Sequence, residues 1–151
     1  MTRLILITAI TAACAMSAQA QTSGSKWMQE VRDYKHEMLV EEAEMTADQQ
    51  EAFLPLYTAM EEEIMQLNEE TRGIEADITA SSEEIPDSVY QAAAQAMASL
   101  KLNEAQIEER YYAQFEQILS SKQLFLLKRA EKRFTSDMLK HNRQGKSQKS
   151  R

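Results

Sequence analysis

Of its 151 residues the chain spends one on Cys, two on His, three on Gly and two on Pro, and each scarcity excludes something. A lone Cys cannot close a disulfide within the chain, and with two His it leaves little for a clustered metal site or a Cys/His catalytic pair. So few Gly and Pro do not supply the tight turns of a sheet protein. The order of residues contains no Ser-His-acid arrangement, Gly-rich phosphate loop or redox Cys pair, so the expectation is a protein that is no enzyme and carries no cofactor. What the chain does have is aliphatic residues, nine Met and 27% charged residues, the balance of long amphipathic helices. The expected fold class is all-α, with four elongated helices in one domain.

The first twenty residues have the form of a secretory leader. Arg3 supplies the positive start, Leu4 to Met16 is a nearly unbroken apolar run, and Ser17-Ala18-Gln19-Ala20 offers small residues for cleavage after Ala20. The run is short for a bilayer span, so no stable membrane insertion is expected. A lipoprotein anchor at Cys14 is the weaker alternative, because Thr11 stands where a large aliphatic residue is usual. Cleavage after Ala20 leaves an exported chain without Cys, with residues 21–26 read as a flexible start.

Helix spacing then organises residues 27–140. Trp27, Val31, Tyr34 and Met38 step by four, three and four, which marks one helix face ending near Glu44. A second helix carries Phe53, Tyr57, Met60, Ile64, Leu67, Thr71, Ile74 and Ile78 on a narrow seam, with Pro55 expected to kink its start. Thr79 to Ser88 reads as the clearest break, where the chain reverses, with Pro86 followed by Asp87 as the next cap. The third helix shows Tyr90, Ala93, Met97, Leu100, Glu104, Ile107, Tyr111, Gln114 and Ile118, two of them polar, and the fourth Leu127, Ala130, Phe134 and Met138. Residues 141–151 lack apolar side chains and read as a basic disordered tail.

Charge is split along the chain. Residues 21–121 hold six Lys and Arg against 22 carboxylates, whereas residues 122–151 hold ten Lys and Arg against Glu131 and Asp137. Lys122, Arg129, Arg133, Lys140 and Arg143 fall within about 80° of one another at 100° per residue. They read as a solvated helix back, as a partner for the acidic helices, or as a candidate surface for clients or partners. An exported, net acidic chain with no aromatic interleaving is not expected to bind nucleic acid. The acidic runs, Glu61-Glu62-Glu63 among them, read as solvated faces. His36 reads as a partly exposed helix-surface residue, and a metal site would need His36, His141 or both with carboxylates such as Glu41.

Two helix starts share one arrangement. Met45-Thr46-Ala47-Asp48-Gln49 and Leu119-Ser120-Ser121-Lys122-Gln123 each give an apolar residue, a hydroxyl cap and, three residues after the cap, a Gln able to reach back to its amide. This pattern resembles the periplasmic Spy/CpxP family, whose mark is a twice-repeated Leu-Thr-x-x-Gln. Met45 and Ser120 depart from it conservatively. Phe53-Leu54-Pro55-Leu56-Tyr57 and the Lys128 to Phe134 segment look like a branch common in exported proteins of Bacteroidetes-type bacteria, and the resemblance covers roughly Val31 to Leu139.

The resemblance implies a thin helical cradle, an antiparallel homodimer, and a periplasmic ATP-independent chaperone or envelope-stress accessory protein acting on unfolded or envelope proteins. Met28, Met38, Met60, Met65, Met97 and Met138 offer adaptable contacts for such a role. The alternative is a metal-responsive or structural coiled-coil adaptor docking on an envelope sensor.

Overall fold

A computed structural model describes the backbone of residues 14–149 and the side chains of residues 26–141. Four helices account for nearly all of it: α1 Cys14–Glu42, α2 Ala47–Ala80, α3 Asp87–Phe115 and α4 Ser121–Lys149, with no strand among the described residues. The fold is all-α. The leader assigned to residues 1–20 lies mostly outside the described residues, and Arg143 has its side chain outside them too.

Each helix start has a local cause. Thr46 caps α2 by accepting from the Gln49 amide, and the Gln49 side chain accepts from the Thr46 amide, a complete capping box. Ser120 and Gln123 make the same reciprocal bonds at the head of α4. At α3 the sequence reading needs correction: Pro86, not Asp87, occupies the cap position and makes no side-chain cap bond. Its fixed φ holds the chain extended while Asp87 becomes the first helical residue, where its negative charge meets the helix dipole.

Two segments read as irregular are helical. Residues 21–26 belong to α1, and α4 continues through residues 141–149. Once a nucleus exists, each added residue brings one hydrogen bond, so propagation does not require apolar side chains and carries the helix across Thr22, Ser23, Gly24 and Ser25.

The core gathers at the end of the molecule where the two capping boxes lie. Leu39, Ala43, Phe53, Tyr57, Phe115, Leu127 and Ala130 are all buried there. Phe53 and Phe115 meet with ring centroids 4.8 Å apart, and Phe53 and Tyr57 at 5.2 Å. α2 packs along α3 and α1 along α4. Asn68 to Glu104 and Glu63 to Arg110 run in opposite order along α2 and α3, which makes that pair antiparallel. Tyr34 near Phe134 and Glu44, just past the end of α1, beside Lys122 do the same for α1 and α4.

At roughly 1.5 Å per residue α2 is about 50 Å long, and its buried residues beyond Met60 reduce to Thr71. The Thr71 hydroxyl donates to the Leu67 carbonyl at 2.9 Å, satisfying itself within the seam. Glu104, a polar position of the α3 stripe, accepts from Asn68 of α2 at 2.7 Å. Pro55 sits inside α2 without ending it.

Candidate functional site

The two Gln residues of the repeated motif meet. Gln123 Nε2 donates to Gln49 Oε1 at 2.8 Å and Gln49 Nε2 to Gln123 Oε1 at 3.1 Å, closing a ring of two carboxamides. The second proton of each amide goes to the backbone just ahead of the opposite motif. Gln49 Nε2 reaches the Ile118 carbonyl at 2.9 Å, and Gln123 Nε2 reaches the Glu44 carbonyl at 3.1 Å. Each Gln therefore caps its own helix and holds the turn before the other. Met45 and Leu119, the apolar residues that open the two motifs, are buried in the same core cluster.

The arrangement repeats at a fixed offset. Gln49 and Gln123 are 74 residues apart, and so are Tyr57 and Glu131, whose hydroxyl-to-carboxylate bond measures 3.0 Å. α2 and α4 thus run parallel and in register from their caps, related by an approximate twofold. The symmetry fails at the turns: Glu44 adopts φ 51°, the only positive φ of a non-Gly residue among those described. That conformation lets the Met45 amide reach back to the Val40 carbonyl at 3.1 Å and aims the Glu44 carbonyl at Gln123.

Of the basic ridge, Lys122 lies 2.6 Å from Glu44 and Arg133 2.5 Å from Glu42, so both tie α4 to the end of α1. Lys140 pairs within its own helix with Asp137 at 3.1 Å. Arg129 makes no ion pair among the described residues. The ridge is in part self-paired, as its charge opposite an acidic chain allows.

In the acidic run Glu61-Glu62-Glu63, Glu62 is solvated as expected, whereas Glu61 is drawn between the helices. Glu61 receives Lys35 at 2.5 Å and His36 at 2.8 Å, both from α1. Arg32 stands 3.6 Å from Glu62, and Glu63 takes Arg110 and Tyr111 of α3. Successive positions point about 100° apart, so one run of three Glu serves two neighbouring helices. Burial pushes the Glu61 carboxyl up, but the His36 hydrogen bond and the Lys35 charge outweigh it and hold it below its ordinary value. Tyr57, buried beside Glu131 and Glu61, has its hydroxyl pushed well above the ordinary range, first by burial and then by those charges. It donates and does not ionise.

His36 is partly exposed, and it stands edge-on to the Tyr57 ring at 5.6 Å with its Nε2 on Glu61. His141 instead sits 3.3 Å from its own helix carbonyl at Asp137. Among the described residues no three His, Cys, Asp or Glu converge as metal ligands, and no helix is long and apolar enough to cross a membrane.

Away from the core, large apolar side chains stand exposed. α2 and α3 present Met65, Ile74, Val89, Tyr90, Met97 and Leu102, while Met60 is buried. Glu69, Glu70, Glu75 and Asp77 are interspersed along the same stretch of α2, all exposed. Open grooves flank the core, one of about 490 Å³ between α1 and α4 lined by Tyr34, Met38, Phe134 and Met138. Neither a family model, nor a curated protein, nor a solved structure matches the chain.

Proposed function

We propose that the protein is an exported, ATP-independent chaperone or envelope-stress accessory protein that holds unfolded chains on its helical surface. The observation that carries this reading is the display of Met65, Ile74, Val89, Tyr90, Met97 and Leu102 along a helix pair whose own burial is confined to Ala93, Thr71 and the cap end. These side chains do not form one greasy patch; they are spaced among carboxylates, which keeps the protein soluble and makes each contact weak. An unfolded segment meeting several such contacts is retained, and released as it buries its own apolar residues. Flexible Met side chains at Met65 and Met97 adapt to varied sequences. The resemblance carried by Thr46, Gln49, Ser120 and Gln123 supports the same reading, and so does the leader-like start. Pairing into a homodimer belongs to this proposal, since a second copy lengthens the displayed surface.

The test is light scattering from a heated or reduced aggregating substrate, without nucleotide, at substoichiometric to equimolar amounts of residues 21–151. Suppressed scattering is the expected result. Replacing Met97 and Leu102 together by Ser should raise the amount needed several-fold while leaving the helical circular dichroism unchanged. A folded protein that suppresses nothing at any ratio sinks the proposal and leaves a dedicated docking partner.

A further inference from the structure

The outer face of α4 has a composition found nowhere else among the described residues. At about 100° per residue, Lys122, Phe125, Arg129, Lys132, Leu139 and Lys140 fall within an arc of about 100°, and all six are exposed. The carboxylates of the described part of this helix, Glu131 and Asp137, lie outside the arc by about 60 to 80° on its two sides. Lys122 and Lys140, at the ends of the face, have the surface pairings already given, but Arg129 and Lys132 at its centre make no ion pair among the described residues. Phe125 is 66% exposed and Leu139 55% exposed. They stand about 21 Å apart on the same side of one helix, projecting from it.

We propose that this face of α4 docks the protein on an anionic lipid surface. Charge complementarity selects the partner's sign: a carboxylate-free row of Lys and Arg on a protein whose remaining helices are acidic gives the molecule one orientation towards a negative plane. The shape argues for a lipid surface. The face is a single convex helix with protruding apolar tips and no groove, so a folded acidic partner would have to supply a matching cleft, whereas a headgroup layer yields to Phe125 and Leu139 and leaves the Lys and Arg at phosphate level. The apolar stripe is too sparse for insertion, so binding is peripheral and falls with salt. The acidic α2–α3 pair is then turned away from the surface and free to meet other chains.

Flotation with vesicles tests it, using the protein recovered from the export compartment of the expressing cell. Vesicles of phosphatidylethanolamine with one third phosphatidylglycerol should carry the protein at low ionic strength, and vesicles of phosphatidylcholine alone should not. Arg129→Glu with Lys132→Glu should weaken binding at least tenfold, since each cation near an anionic surface contributes roughly fivefold. Phe125→Ser with Leu139→Ser should weaken it severalfold. Both variants change exposed positions, so their helical content and melting should match the parent. Equal binding to both vesicle types, or charge reversal without effect, overturns the proposal. A fall in solution mass on Phe125→Ser with Leu139→Ser assigns the face to a second copy and overturns it as well. So does binding to polyglutamate as tight as to the anionic vesicles, which assigns it to acidic polypeptide.

Discussion

Replacing Gln123 by Ala removes a cap acceptor, half of the carboxamide ring and the donor to the Glu44 carbonyl in one step. Leaving partly buried groups unpaired costs about 1 to 3 kcal/mol and a lost cap about 1, so thermal or urea unfolding should show a loss of about 2 to 4 kcal/mol. Gln49→Ala should cost a similar amount, and the double variant less than the two together, because the second change removes a partner already orphaned. Additive losses would mean that the ring contributes nothing beyond two separate caps. Glu44→Gly tests the neighbouring strain. It relieves a left-handed conformation worth about 1 kcal/mol and gives up an exposed ion pair to Lys122 worth less, so a small gain in stability is expected. Glu61 governs the acid limb. Its carboxyl titrates lower in the folded protein than its ordinary 4.5, so its stabilising effect is complete above that value and is lost as pH falls through the lower folded one. Glu61→Gln should flatten the dependence of unfolding free energy on pH below about pH 5, measured by urea titration.

At the scale of the helices, Gly73→Ala offers a clean measure of how far α2 stands alone. A Cβ at position 73 meets nothing within 4 Å, so only helix propensity changes, a gain of about 1 kcal/mol. Amide hydrogen exchange should report that gain locally between residues 68 and 80 with little change near Phe53. Helix number, the seams and both capping boxes were legible in the sequence because they rest on local periodicity and on bonds three residues apart. The reversal after Ala80 was legible for the same reason. What escaped was everything that needs a partner helix. Nothing in the order of residues shows Gln49 turning its spare protons to Ile118, and Glu61 looked like one more solvated acid until α1 brought Lys35 and His36 to it. The only available signal for the ring was the duplication itself: two identical caps on helices of one small domain have an exposed amide each and the same reach. The basic ridge was legible as a charge pattern, but its division into paired Lys122 and Arg133 and unpaired Arg129 depends on where α1 ends.

For the whole molecule, the ion pairs between α1 and α4 are exposed and worth at most about 1 kcal/mol each, while the core at the cap end is apolar. Melting should therefore move by only a few degrees between low and high salt, whereas capture of basic unfolded substrates by the acidic α2–α3 face should weaken clearly. A salt series that combines melting with aggregation suppression separates the two, and a collapse of the fold in salt would contradict this view of the core. The 74-residue span of the Gln49–Gln123 ring also bears on the order of events in time. A ribosome delivers Phe53 and Tyr57 long before Leu119, Leu127 and Ala130, and α1 to α3 have no α4 to close upon. Until the last quarter of the chain emerges, the nascent protein holds Phe53 and Tyr57 without the Leu127 and Ala130 that complete their buried cluster. It passes through the condition of the unfolded chains it is proposed to hold.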